Sequence, residues 1–91
     1  MTQDAPQASL IEYPCHFPIK VMGAAAEGFL DAMVQIVLQF DPSFDRNTIE
    51  QRPSKGGNYL GLTLSVHVTG REQLDEVYRT LSTHPMVKVV L

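Results

Sequence analysis

Between Tyr59 and Val68 ten residues alternate without a break. Leu60, Leu62, Leu64, Val66 and Val68 fall on one side; Tyr59, Gly61, Thr63, Ser65 and His67 fall on the other. Successive side chains of an extended chain point to opposite faces, so this pattern predicts a long strand with one buried face and one open face. The stretch just before it, Pro53-Ser54-Lys55-Gly56-Gly57-Asn58, is built from turn-forming residues and predicts a hairpin. The partner strand expected over Thr48–Arg52 holds one strongly apolar residue, Ile49, as suits an edge strand whose polarity discourages pairing with other chains.

The other elements follow from periodicity. Phe17, Ile19 and Val21 alternate with Lys20 and Met22, predicting a first strand over Phe17–Met22 that Gly23 ends. Pro18 lacks an N–H, so its end of that strand is expected to be unpaired or at a sheet margin. Ala26, Phe29, Leu30, Met33, Ile36, Val37 and Phe40 recur every three or four residues and predict a helix over Ala24–Gln39, with Pro42 beyond its end. Gly28 inside it costs up to about 1 kcal/mol, and either permits close helix–sheet approach or marks an irregular first turn. Leu74, Val77, Tyr78 and Leu81 predict a second helix over Gly70–Ser82, opened by a Thr69–Glu72 capping box and carrying an Asp75–Arg79 ion pair. A last strand is expected over Met86–Leu91, with Val87, Val89 and Leu91 inward. Residues 1–12 have no apolar period and are expected to form an arm, leaving residues 13–91 as a single domain.

Strand, helix, strand, strand, helix, strand is the order of a ferredoxin-like split βαβ sandwich of the α+β class. Right-handed crossovers put both helices on one face of a four-stranded antiparallel sheet, with strand order 4-1-3-2. The turn after the first strand, the hairpin loop and the turn before the last strand then share one end of the domain. Gly23, Ser54, Lys55, Gly56 and His84 meet there, with Lys20, Met22, Tyr59, Met86 and Lys88 on the neighbouring uncovered sheet face. If the chain binds a ligand or partner, this end is the expected site, comprising Lys20, Gly23, Ser54, Lys55, Gly56, Tyr59 and His84. Glycine lets a ligand approach the backbone, and Lys20 and Lys55 favour an anion.

Composition excludes several functions. A net charge of −3 and a pI near 5.4 argue against a general nucleic-acid binder. The open face also offers one aromatic, Tyr59, for base stacking. Ser54-Lys55-Gly56-Gly57 lacks phosphate-loop spacing and leads into a strand, so it reads as a hairpin turn. Cys15, His16, His67 and His84 show no compact ligand spacing, so no metal or other cofactor is expected. Cys15 has no paired acid to make it a nucleophile, and no acid–base–nucleophile set is visible, so no enzyme activity is expected. A lone cysteine forms no internal disulfide. With neither a signal-like segment nor an apolar run of about 20 residues, the sequence is expected to be cytoplasmic and not membrane-bound.

Phe17-Pro18, Lys20-x-Met22-Gly23, Pro53-Ser54-Lys55-Gly56, Tyr59, Leu81 and Val87-Lys88-Val89-Val90-Leu91 occur in an order that resembles the YbeD-like family of small proteobacterial proteins, from about residue 10 to the C-terminus. The loop differs by one additional glycine, Gly57 beside Gly56. The resemblance implies a fold similar to the ACT regulatory domains, which bind amino acids at domain interfaces, and implies no catalytic residues. It also implies a gene neighbourhood beside lipoate attachment. The function expected on these grounds is a non-catalytic regulatory module that binds a small metabolite or a protein, alone or as a homo-oligomer. The alternative is an adaptor between proteins with no small ligand.

Overall fold

The long strand forms where the alternation puts it. In a computed structural model that describes residues 12–91, β3 spans Tyr59–Val68. It pairs along its whole length with β1, Cys15–Ala24. β2, Glu50–Pro53, lies outside β3, and β4, Val87–Val90, lies outside β1. The sheet order is β2-β3-β1-β4 with every neighbour antiparallel, the expected 4-1-3-2. Two helices, α1 (Phe29–Phe40) and α2 (Arg71–Ser82), contact each other and β3. Ile19 and Val21 of β1 and Leu62, Leu64, Val66 and Val68 of β3 are buried with Phe29, Met33 and Val37 of α1 and Leu74, Val77 and Leu81 of α2. The arm expected over residues 1–12 lies, apart from Glu12, outside the described residues.

Several boundaries differ from expectation, each for a local reason. β1 does not end at Gly23: Ala24 pairs with Tyr59, and Ala25 N–H donates to Asn58 O at 2.9 Å. α1 begins five residues later than Ala24. Gly28 caps it at φ +90°, a left-handed conformation that no helix interior holds, and Ala24–Phe29 is a turn closed by backbone bonds from Ala26 and Phe29. The apolar run Ala24-Ala25-Ala26 imitates helix but serves the strand-to-helix corner. A short 3₁₀ turn, Arg46–Thr48, precedes β2 and moves that strand two residues later than expected.

The Thr69–Glu72 capping box does not form. Gln73 Oε1 instead accepts from Thr69 N–H at 2.7 Å and Thr69 Oγ1 at 3.1 Å, while Gln73 Nε2 donates to Phe40 O at 2.9 Å. A glutamate could not also donate, so the amide serves the start of α2 and an orphan carbonyl at the end of α1 together. Nor does Asp75 pair with Arg79: Asp75 lies 3.9 Å from Arg71, and Arg79 reaches Glu76.

The largest difference is in β4. Val21 faces Val90 and Met22 faces Val89, but Gly23 faces Val87, so Lys88 is an extra residue. This bulge turns Val87 and Val90 toward the helices and sends Val89 and Leu91 to the other side. The expected inward set of Val87, Val89 and Leu91 is thus corrected to Val87 and Val90. Leu91 continues the pairing by exchanging two backbone hydrogen bonds with Lys20, at 2.7 and 3.2 Å.

Candidate functional site

Three segments do converge at the end expected from topology. The turn before Tyr59 is closed by Ser54 N–H to Tyr59 O at 2.9 Å, Gly57 N–H to Ser54 O at 2.9 Å and Tyr59 N–H to Ser54 Oγ at 3.0 Å. Asn58 O holds Ala25, the Met86 carbonyl abuts Gly23, and His84 Nδ1 accepts from Met86 N–H at 3.1 Å. Ser54 and Tyr59 thereby spend local polar groups on each other, His84 bonds Met86, and Gly23 lies against Met86 and Phe29. A Cβ at Gly23 would stand 2.3 Å from Met86 O and 2.7 Å from the Phe29 ring, so protein already fills the space beside this glycine. Met86 is half-buried against the core and does not extend the open face as expected. Lys55 and Gly56 are exposed on the turn.

The space for a ligand lies beside that end, on the uncovered sheet face. Alternation puts His16, Pro18, Lys20, Met22 and Ala24 of β1 outward, opposite His67, Ser65, Thr63, Gly61 and Tyr59 of β3. Two rows then cross all four strands. Leu91, Lys20, Thr63 and Glu50 form one; Val89, Met22, Gly61 and Arg52 form the other. These two rows enclose a groove of about 350 Å³. Gly61 supplies its low floor, where the nearest neighbour of an added Cβ would be Arg52 O at 3.5 Å. Met22 (41% exposed), Tyr59 (45%), Val89 (37%) and Leu91 (72%) are the exposed large hydrophobic residues among those described, and all four belong to this face.

Of the expected site residues, Lys20 lines the groove; Tyr59 lies on the same face, two residues beyond Gly61. Sequence reasoning missed Glu50, Arg52, Val89 and Leu91. For the first two a signal existed, because the Ser54–Tyr59 turn fixes Pro53 opposite Leu60 and hence Arg52 opposite Gly61. For the last two it did not, because a bulge leaves no mark on the alternation of Val87–Leu91.

The opposite end holds a smaller cleft of about 120 Å³ lined by His16, Asp41, Ser43, Asp45, Thr48 and Ser65, with Phe44. β2 has ended by this point, so His67 N–H has no strand partner. The carboxylate of Asp41, 3% exposed, accepts from it at 3.0 Å and from Ser43 N–H and Oγ at 3.1 and 2.6 Å. Burial pushes the Asp41 pKa up, but the Ser43 hydroxyl, the His67 and Ser43 N–H groups and the nearby His67 charge outweigh it and hold the carboxyl below its ordinary value. His16 and His67 meet edge to face at 5.1 Å, a contact visible only once the strand register is known. Among the described residues no three of His, Cys, Asp and Glu group as metal ligands, and no helix is long and apolar enough to cross a membrane.

A family described as a protein of unknown function, DUF493, matches residues 8–91. The chain belongs to that family. This bears out the resemblance to the small YbeD-like proteins of proteobacteria. Similar DUF493 relatives include a UPF0250 protein of Leptothrix cholodnii, 64% identical over 98% of this chain and 99% of that one. Another is a UPF0250 protein of Bordetella pertussis, 60% identical over 94% of each. The solution structure of HP0495 from H. pylori superposes with a TM-score of 0.74 over 99% of this chain and 98% of that one, at 18% identity. At that identity the likeness supports the βαββαβ fold alone.

Proposed function

We propose that this DUF493 chain is a non-catalytic regulatory module that takes a protein partner or a small metabolite on its open sheet face. One observation carries the proposal: the exposed large hydrophobic residues of the described domain gather on that face around a groove with two cations, while the opposite face is covered by helices. Monomeric proteins seldom leave contiguous apolar surface uncovered without a binding role. The groove brings together apolar side chains, a carboxylate and two cations, and none of these is arranged as a nucleophile with its base. A link to lipoate metabolism belongs to the same proposal, supported by the gene neighbourhood that the family resemblance implies.

The test is a thermal-shift screen of amino acids and lipoate-pathway metabolites, followed by backbone NMR titration of any stabilising compound. A compound at 100 times its dissociation constant is expected to add about 2.7 kcal/mol. Its shifts are expected at Lys20, Met22, Gly61, Thr63 and Val89. Shifts confined to residues 41–48, or turnover of a compound abolished by one substitution in this chain, would refute the proposal.

A further inference from the structure

We infer that the open sheet face docks an acidic segment of a partner protein, one in which carboxylates stand beside apolar side chains. The inference rests on the proposed binding role of this face and adds the chemistry of the occupant.

The charges of the domain are sorted by layer. On the helical side and the 3₁₀ turn the three arginines each have a carboxylate: Arg46 with Asp31 at 2.5 Å, Arg71 with Asp75, and Arg79 with Glu76. The other four cations, Lys20, Arg52, Lys55 and Lys88, belong to the sheet and its hairpin, and among the described residues none lies in an ion pair. Glu50 is the one acidic side chain lining the groove. In a chain of net charge −3 the groove thus sets two cations, Lys20 and Arg52, against one acidic side chain. Screening limits a charge to about 8 Å at physiological ionic strength, so an approaching group at the groove responds to Lys20 and Arg52 rather than to the net charge.

Extent and symmetry decide between occupants. The row from Leu91 to Glu50 crosses three strand spacings, about 14 Å, with apolar groups at the β4 end and charge toward β2. That length suits a peptide segment better than a free metabolite. A second copy is disfavoured twice. A two-fold face-to-face contact sets the same patch against itself, so the two cations of each copy meet a single acidic side chain, Glu50, on the other. Pairing through sheet edges is blunted by Pro53 and the three other exposed residues of β2, and by the bulge with Lys88 on β4. Nucleic acid would find a single tyrosine on this face for stacking.

The experiment is an NMR titration of the full chain with three short synthetic peptides on one frame, in which Leu alternates with Glu, Gln or Lys. The Glu peptide is expected to shift the amides of Lys20, Met22, Gly61 and Val89, to bind roughly tenfold more tightly than the Gln peptide through two exposed ion pairs, and to weaken as salt rises. The exposed double substitution Lys20→Glu with Arg52→Glu is expected to reverse the preference toward the Lys peptide. Equal binding of Glu and Gln peptides at these amides would overturn the acidic partner and leave the face as a binding site. Shifts of the same amides on dilution of the protein alone would assign the face to a second copy and overturn the inference. Shifts with single-stranded polyuridine but not with the Glu peptide would assign it to RNA, with the same result. If no probe, peptide or dilution moves these amides, both this inference and the proposed function fall.

Discussion

Gly23→Ala separates a packing glycine from a ligand-facing one. The added Cβ would lie 2.3 Å from the Met86 carbonyl oxygen and 2.7 Å from the Phe29 ring. Ordinary non-bonded contact begins near 3.5 Å, so the backbone before β4 must retreat by roughly 1 Å. Phe29 is fully buried and cannot swing away, and the carbonyl belongs to the residue preceding β4. Overpacking of this kind costs about 1–3 kcal/mol, or roughly 5–20 °C of melting temperature in a domain this size. Two other glycines calibrate it. Gly28→Ala meets nothing within 4 Å but sits at φ +90°, so strain alone is expected to cost about 1–2 kcal/mol. Gly61→Ala has ordinary contact at 3.5 Å and unstrained backbone, so its stability should stay within about 0.5 kcal/mol. Denaturant unfolding of the three variants gives the ranking. If Gly23→Ala proves as stable as Gly61→Ala, the close approach does not explain Gly23, and a role in ligand contact returns.

In β3, Leu62→Ala and Leu64→Ala remove fully buried side chains and should each cost about 2–5 kcal/mol, whereas Thr63→Ala on the open face should cost under about 1; equal small losses in chemical denaturation would mean the register is wrong. Asp41→Asn should destabilise by about 1.5–3 kcal/mol at neutral pH, because a buried ionised acceptor with three donors is lost. Because the folded-state pKa of Asp41 is depressed, its contribution is complete above the unfolded value near 3.9 and is lost as pH falls through the folded one. The gap between wild type and Asp41→Asn, followed by thermal melts from pH 7 downward, is therefore expected to close below about pH 4; a constant gap would refute the assignment.

The fold was legible because its two strongest signals are local. Period-two alternation over Tyr59–Val68 and the helical stripes of α1 and α2 each specify an element and the face it buries, and element order then restricts the topology. What failed was whatever depends on a neighbour in space. Gly28 reads as a weak helix residue until its positive φ makes it the cap. Thr69 with Glu72 satisfies a sequence rule, yet Gln73 wins because only an amide can also reach Phe40. Val87–Leu91 is apolar at four of five positions, so its pattern could not say which residues face inward. The candidate site shares that history. Topology brings three turns together at one end, but the groove lies beside that end on the open face, where Lys20 lines it and alternation puts Tyr59 nearby. The groove itself depends on β2 register and on one extra residue in β4.

β4 has the makeup of a strand enclosed from both sides. Val87 and Val90 meet the helical layer, while Val89 and Leu91 carry apolar bulk on the opposite side of the same short segment. Near-continuous apolar runs of this kind belong to the middle sheet of three-layered proteins, where each face is roofed. Here two layers make the domain, and the side chains suited to a third are already in position. The bulge at Lys88 divides that run between the layers. Val89 and Leu91 are therefore largely free of constraints from the domain's own packing, and either can change without rebuilding the interior.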